Sequence, residues 1–214
     1  GSDFQLAQYA GGWLRQGDNA PAAGEIQGVA GPEVWQYLST NKWYFETSIA
    51  VTDVSDANIF VGFAQDGYVD SDTLPTDGIG FSHLQDTTTI QFISRKNGAG
   101  VSFDMLDTAG GSTFTFEDST VPTQTATVQA KPTNSVRLGF IYQPADSEPG
   151  VTANQYRLFL NGNPVGIQAA TTVPDDIALE ANMMIAHKGT NANHLVVDYF
   201  NTIQSRVAAS GPQA

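Results

Sequence analysis

The chain has 214 residues, 41% hydrophobic and 10% aromatic, enough for one sizeable core and a single all-β domain, while only 14% are charged, so its polar surface is drawn largely from Thr, Ser, Asn and Gln. A formal net charge of -13 sets up a field that repels phosphate backbones and anionic lipid, so neither nucleic acid nor a membrane is an expected partner. Cysteine is absent, which excludes disulfides, thiolate metal centres and a Cys nucleophile, and no apolar run approaches the ~18 residues of a membrane span.

Residues 1 to 33 begin without a basic region followed by an apolar core, so no secretory signal is expected, and Gly11-Gly12, Gly17, Pro21, Gly24, Gly28 and Gly31-Pro32 break any long element. This stretch reads as a partly irregular N-terminal arm. Its Phe4, Leu6, Tyr9, Trp13 and Leu14 are too many large apolar side chains for a solvated tail. They are expected to pack, either on the arm's own sandwich or as a docking surface for a partner.

From residue 34 to 207 the pattern is that of a β-sandwich. Val34 to Leu38 predicts a short strand, and Lys42 to Val51 a strong one with Trp43, Phe45, Thr47, Ile49 and Val51 on one face and Tyr44, Glu46 and Ser48 on the other. Ile59 to Ala64 is expected to pair with it, with Gly62 marking a bulge or a close backbone approach. The loop Gln65 to Thr76 precedes a strand restarting at Gly78. Thr88 to Ser94 and Gly100 to Leu106 flank an Asn97-Gly98 hairpin tip, and Thr113 to Glu117 and Thr123 to Gln129 follow as two more strands. Val136, Leu138, Phe140 and Tyr142 alternate with polar residues, as do Tyr156, Leu158 and Leu160 before Asn161-Gly162, a pair that takes positive φ in a tight turn. Val173 to Ile177 predicts a turn or one helical turn, Ala181 to His187 and His194 to Arg206 the last strands, and residues 208 to 214 a tail. About a dozen short strands with no amphipathic helix call for two packed antiparallel sheets.

The succession Tyr44-Phe45-Glu46-Thr47, Phe60-Val61-Gly62-Phe63-Ala64, Asp77-Gly78-Ile79-Gly80-Phe81, Val136-Arg137-Leu138-Gly139-Phe140, Phe159-Leu160-Asn161-Gly162, Val173-Pro174-Asp175-Asp176 and Leu195-Val196-Val197-Asp198-Tyr199 resembles the concanavalin A-like jelly-roll domains of tailed-bacteriophage virion structural proteins, over about residues 42 to 203. The resemblance implies a capsid (head) decoration protein on the virion surface, assembled in the host cytoplasm, that docks on the major capsid protein as a homo-oligomer such as a trimer and stabilises the shell. The alternative is a carbohydrate-binding, lectin-like module of a phage head fibre or tail that recognises a host glycan.

Chemistry is expected to be absent. Glucanases of concanavalin A-like fold place acid and nucleophile on alternating strand positions, Glu-x-Asp-x-x-Glu, about 5 Å apart, and that motif does not occur here. Glu46 and Asp198 instead suit a polar sheet face. There is no Gly-x-Ser-x-Gly, and His83, His187 and His194 lack metal-binding spacing. Asp66, Asp70, Asp72 and Asp77 offer hard oxygen ligands without the spacing of a calcium loop, and read as a solvated acidic turn. No catalytic residue, cofactor or metal is expected. Trp35, Tyr37 and Tyr68 are the candidate glycan contacts, since flat aromatic faces suit pyranose rings, although the i, i+2 spacing of Trp35 and Tyr37 equally places both on a core face.

Overall fold

The computed structural model describes residues 14–18, 22–68, 73–120, 132–190 and 192–205, with residues 14–18 and 32–34 described by backbone alone. Two six-stranded antiparallel sheets stack face to face. Sheet I has the spatial order β1 (Leu14–Asp18), β12 (Asn193–Gln204), β3 (Trp43–Val51), β8 (Val136–Gln143), β9 (Gln155–Leu160) and β10 (Asn163–Ala169). Sheet II runs β2 (Ile26–Gln36), β11 (Ala178–His187), β4 (Ala57–Ala64), β5 (Gly78–His83), β6 (Gln91–Lys96) and β7 (Ala99–Asp104). No helix occurs among the described residues.

Period-two alternation sets which side chains meet. In sheet I, Phe45 lies opposite Phe140, which lies opposite Leu158. In sheet II, Val61, Phe81, Phe92 and Phe103 form the facing row. Between the layers the Phe45 ring meets Phe63 edge-on at 5.6 Å and stacks on Phe81 at 6.2 Å, while Phe92 contacts Tyr156 at 4.8 Å. Burial of each such side chain is worth about 1.5–3 kcal/mol, and each well-placed ring pair about 0.5–1.5 kcal/mol more. Two buried hydroxyls of this core find acceptors: that of Tyr142 donates to Ser39 O at 2.7 Å and that of Tyr156 to Thr172 O at 3.1 Å.

The hairpin tips form as their Asn-Gly pairs predict, with φ of 52° and 83° at Asn161 and Gly162 and of 52° and 77° at Asn97 and Gly98. Gly62 marks a close backbone approach: a Cβ there would collide with Ile79 O and sit 2.6 Å from the Cα of Gly80, its cross-strand partner.

Three expectations need correction. The boundary placed between residues 33 and 34 falls inside β2, which begins at Ile26 and pairs with β11 along its length, and β1 pairs with β12, so the sandwich already includes residues 14–18. Gly28 and Ala30 disguised β2 because an edge strand with small residues at outer positions shows no clear hydrophobic alternation, and Gly31-Pro32 read as a break. The segment Thr113 to Glu117 is not a strand, making one isolated bridge between Leu106 and Thr113. It is held instead by Phe114 N donating to Met105 O, Phe116 N donating to Thr88 O, and the buried Phe116 ring. Ile59 to Ala64 does not pair with β3; the two strands lie in opposite sheets. The strand expected over Thr123 to Gln129 and the tail 208 to 214 lie outside the described residues.

Candidate functional site

On the outer face of sheet I, β12 departs from regular pairing in a way that builds a site. Val197 lies opposite Ile49 and Phe200 opposite Thr47, so Asp198 and Tyr199 share the space facing the single residue Ser48. Such a two-against-one bulge re-aims side chains. The Tyr199 carbonyl accepts from the Thr47 hydroxyl at 2.8 Å, and Phe200 turns into the core against Phe45 at 4.8 Å. Asp198 and Tyr199 thereby line a cavity of about 310 Å³ with Ser48, Ser135, Arg137 and Asn161.

The adjoining Glu46, on the outward positions of β3, accepts a hydrogen bond from the Tyr199 hydroxyl at 2.5 Å. Its other oxygen is 3.9 Å from Arg137 Nε, and Tyr44 shares its face of β3. Burial, reinforced by the bond to the Glu46 carboxylate and by its charge, pushes the Tyr44 phenol up to about 12 and raises that of Tyr199 further. Both phenols therefore stay protonated at neutral pH and act as donors. Arg137 is held from the other side by the β9–β10 tip: its Nη2 donates to Asn161 O at 2.9 Å and its backbone N to Asn161 Oδ1 at 3.0 Å. The result is the Asp198 carboxylate, a guanidinium, an amide and hydroxyls around one depression, with the Glu46 carboxylate adjoining it through Tyr199 and Arg137, a set suited to reading hydroxyl groups. Glu46 and Asp198 were legible as a polar sheet face, and Tyr44 as a neighbour of Glu46 on one face of β3; Tyr199, Arg137 and Asn161 were not, because the bulge and a turn more than a hundred residues from Glu46 bring them there.

The residues singled out from sequence fare differently. Tyr37 is 0% exposed, its ring 4.1 Å from Trp43 and 5.2 Å from Tyr142, so it offers no face to a sugar. Trp35 packs edge-on against Phe63 at 5.6 Å and belongs to the margin of the core. Tyr68 lies on the outer face of sheet II, its ring on Phe60 at 5.2 Å and its hydroxyl donating to Thr73 O, and it lines a groove there. Leu14 is in β1 opposite Val197, while Phe4, Leu6, Tyr9 and Trp13 lie outside the described residues.

Asp77 accepts from the backbone N of Asn97 and braces the β6–β7 turn, Asp66 is exposed, and Asp70 and Asp72 lie outside the described residues. Among the described residues no three His, Asp or Glu side chains are grouped to hold a metal. His83 sits between two carbonyls, Nδ1 2.8 Å from Thr89 O and Nε2 2.8 Å from Val54 O, a structural role.

No protein-family model matches the sequence, and no curated protein matches it. Among solved structures the chain is similar to the carbohydrate recognition domain of Emp46p in a mutant form, at 11% identity and a TM-score of 0.57 over 94% of this chain and 85% of that one. It is similar to alginate lyase AlyC3 in complex with dimannuronate, at 9% identity and 0.52 over 94% and 77%. The binding domain of a botulinum neurotoxin in complex with rat synaptotagmin II aligns at 9% identity and 0.52, over 94% of this chain and 41% of that one. The fold is a concanavalin A-like jelly-roll sandwich. At such identities the likeness concerns architecture alone, and these three proteins put one architecture to three uses.

Proposed function

We propose that this chain is a carbohydrate-binding, lectin-like module whose sheet I cavity recognises hydroxyl groups of a neutral glycan. The observation that carries the reading is the Glu46 carboxylate, ringed by the protonated phenols of Tyr44 and Tyr199 and by Arg137, beside an open cavity. The likeness in fold to a carbohydrate recognition domain supports it. The net charge of -13 favours a neutral ligand over a uronate or sulfated one. Binding is favoured over turnover because Tyr199 is a poor proton acceptor in this setting and Glu46 is already engaged.

Of the two roles implied by the resemblance to phage proteins, the lectin-like module of a head fibre or tail has a site to act through. The capsid-decoration role rests on sequence resemblance; the matched structures named above are a carbohydrate recognition domain, a lyase and a toxin binding domain. A glycan array followed by calorimetry tests the proposal. The native chain should bind at least one neutral glycan, and Glu46→Gln and Arg137→Ala should each weaken it by about tenfold or more, the cost of losing a charged hydrogen-bond partner. Absence of any neutral-glycan binding, or binding indifferent to both substitutions, would overturn it.

A further inference from the structure

A second groove, of about 380 Å³, lies on the opposite side of the sandwich, on the outer face of sheet II. Its walls are Ile26, Gly28, Val29 and Ala30 from β2, Met184 from β11 and Tyr68 from the loop after β4. The register explains the space. Asn182 stands between Ala30 on one neighbouring strand and Gly62 on the other, and Met184 between Gly28 and Phe60. On β2, then, the residues opposite Asn182 and Met184 have a methyl group or no side chain. Tyr68 closes one side by packing on Phe60, and Phe60, Ala64, Ile93 and Met184 form a small apolar cluster beneath it.

Within this apolar surround sits one buried amide. Asn182 is 0% exposed, and its Nδ2 donates to Tyr68 O at 3.2 Å. Its Oδ1 is buried and has no hydrogen-bond partner. A buried acceptor left unmade is costly, and a native fold that keeps one calls for an explanation. An apolar groove with one spare acceptor matches a group that presents a methyl and an N–H side by side.

We infer that this groove is a separate binding site for the acetamido group of an N-acetylated amino sugar, with the methyl against Met184 and Ala30 and the amide N–H donated to Asn182 Oδ1. The volume is within the ordinary range for small-ligand pockets. The acetamide assignment rests on the groove alone; the sugar that bears it rests on the carbohydrate reading above.

The test is titration of the full chain with N-acetylglucosamine, glucosamine, glucose and N-acetyl-lysine amide, read by calorimetry and by amide chemical shifts. N-acetylglucosamine should bind at least about tenfold more tightly than glucosamine or glucose and shift resonances of Ala30, Tyr68 and Met184. Asn182→Leu should abolish that preference with little change in thermal midpoint, since it removes the unmet acceptor together with the 3.2 Å bond to Tyr68 O. Ala30→Phe, at an exposed position, should fill the groove and block binding with the fold intact. Glu46→Gln, on the other sheet, should leave it unchanged.

Equal affinity for glucose, a preference surviving both Asn182→Leu and Ala30→Phe, or its loss in Glu46→Gln would overturn the site. Binding of N-acetyl-lysine amide as tight as that of the sugar would overturn the sugar assignment while retaining the acetamide pocket. Failure of the sheet I proposal appears separately, as loss of the Glu46 and Arg137 dependence for neutral glycans.

Discussion

Phe63 shows how much a single side chain does in this core. Its ring lies within 4.9 Å of Trp43, 5.1 Å of Phe200 and 5.6 Å of both Phe45 and Trp35, joining β4 to both sheets. Phe63→Ala should cost about 3–5 kcal/mol, because these rings are held on three strands, β2, β3 and β12, and cannot collapse together. Urea unfolding measures it, and a loss below about 1 kcal/mol would mean that the layers repack freely. At the sheet I site, Tyr199→Phe removes the donor to Glu46 while keeping the ring. It should weaken glycan binding several-fold and leave the unfolding midpoint nearly unchanged, since Glu46 remains in reach of Tyr44, Arg137 and water. A large drop in stability with unchanged binding would assign the Tyr199–Glu46 bond to the fold instead.

The two Asn-Gly turns have the same backbone and different surroundings. Gly98 has φ of 77°, and a Cβ added there would meet nothing within 4 Å, whereas at Gly162, with φ of 83°, a Cβ would collide with the Arg137 guanidinium. Gly98→Ala should therefore cost only the left-handed strain of about 1–2 kcal/mol. Gly162→Ala adds displacement of Arg137 from Asn161 O and from the neighbourhood of Glu46. Its signature should be lower stability together with weakened glycan binding, and equal effects of the two substitutions on binding would sever the link between hairpin tip and cavity. Both turns were legible in sequence because Asn-Gly supplies two consecutive positive-φ residues whatever surrounds it. The bulge at Asp198 and Tyr199 was not, since an extra residue in one strand shows only against its partner's register.

Among the described residues, five tyrosines have raised phenol values: burial is the largest cause for each of Tyr37, Tyr44, Tyr142, Tyr156 and Tyr199, and Tyr44 and Tyr142 are taken up to about 12. In the unfolded chain they ionise near pH 10. A group whose folded value lies above its unfolded value stabilises fully below the unfolded value and loses that contribution as pH rises towards the folded one. Stability should thus hold from neutrality to about pH 10 and fall between there and about pH 12, with phenolate absorbance of these residues rising together with unfolding. Phenolate absorbance complete while the chain remains folded would contradict their burial. By itself the sequence determined the class of fold, because alternation in β3, β8 and β9 and the Asn-Gly turns are local properties of the chain. Tertiary structure alone decided the sites. Glu46 and Tyr199 stand 153 residues apart, and Asn182 meets the Tyr68 backbone across 114. Which side chains face a common cavity depends on strand order and register between sheets, and those are settled by packing a whole core at once, leaving no trace in any one stretch of residues.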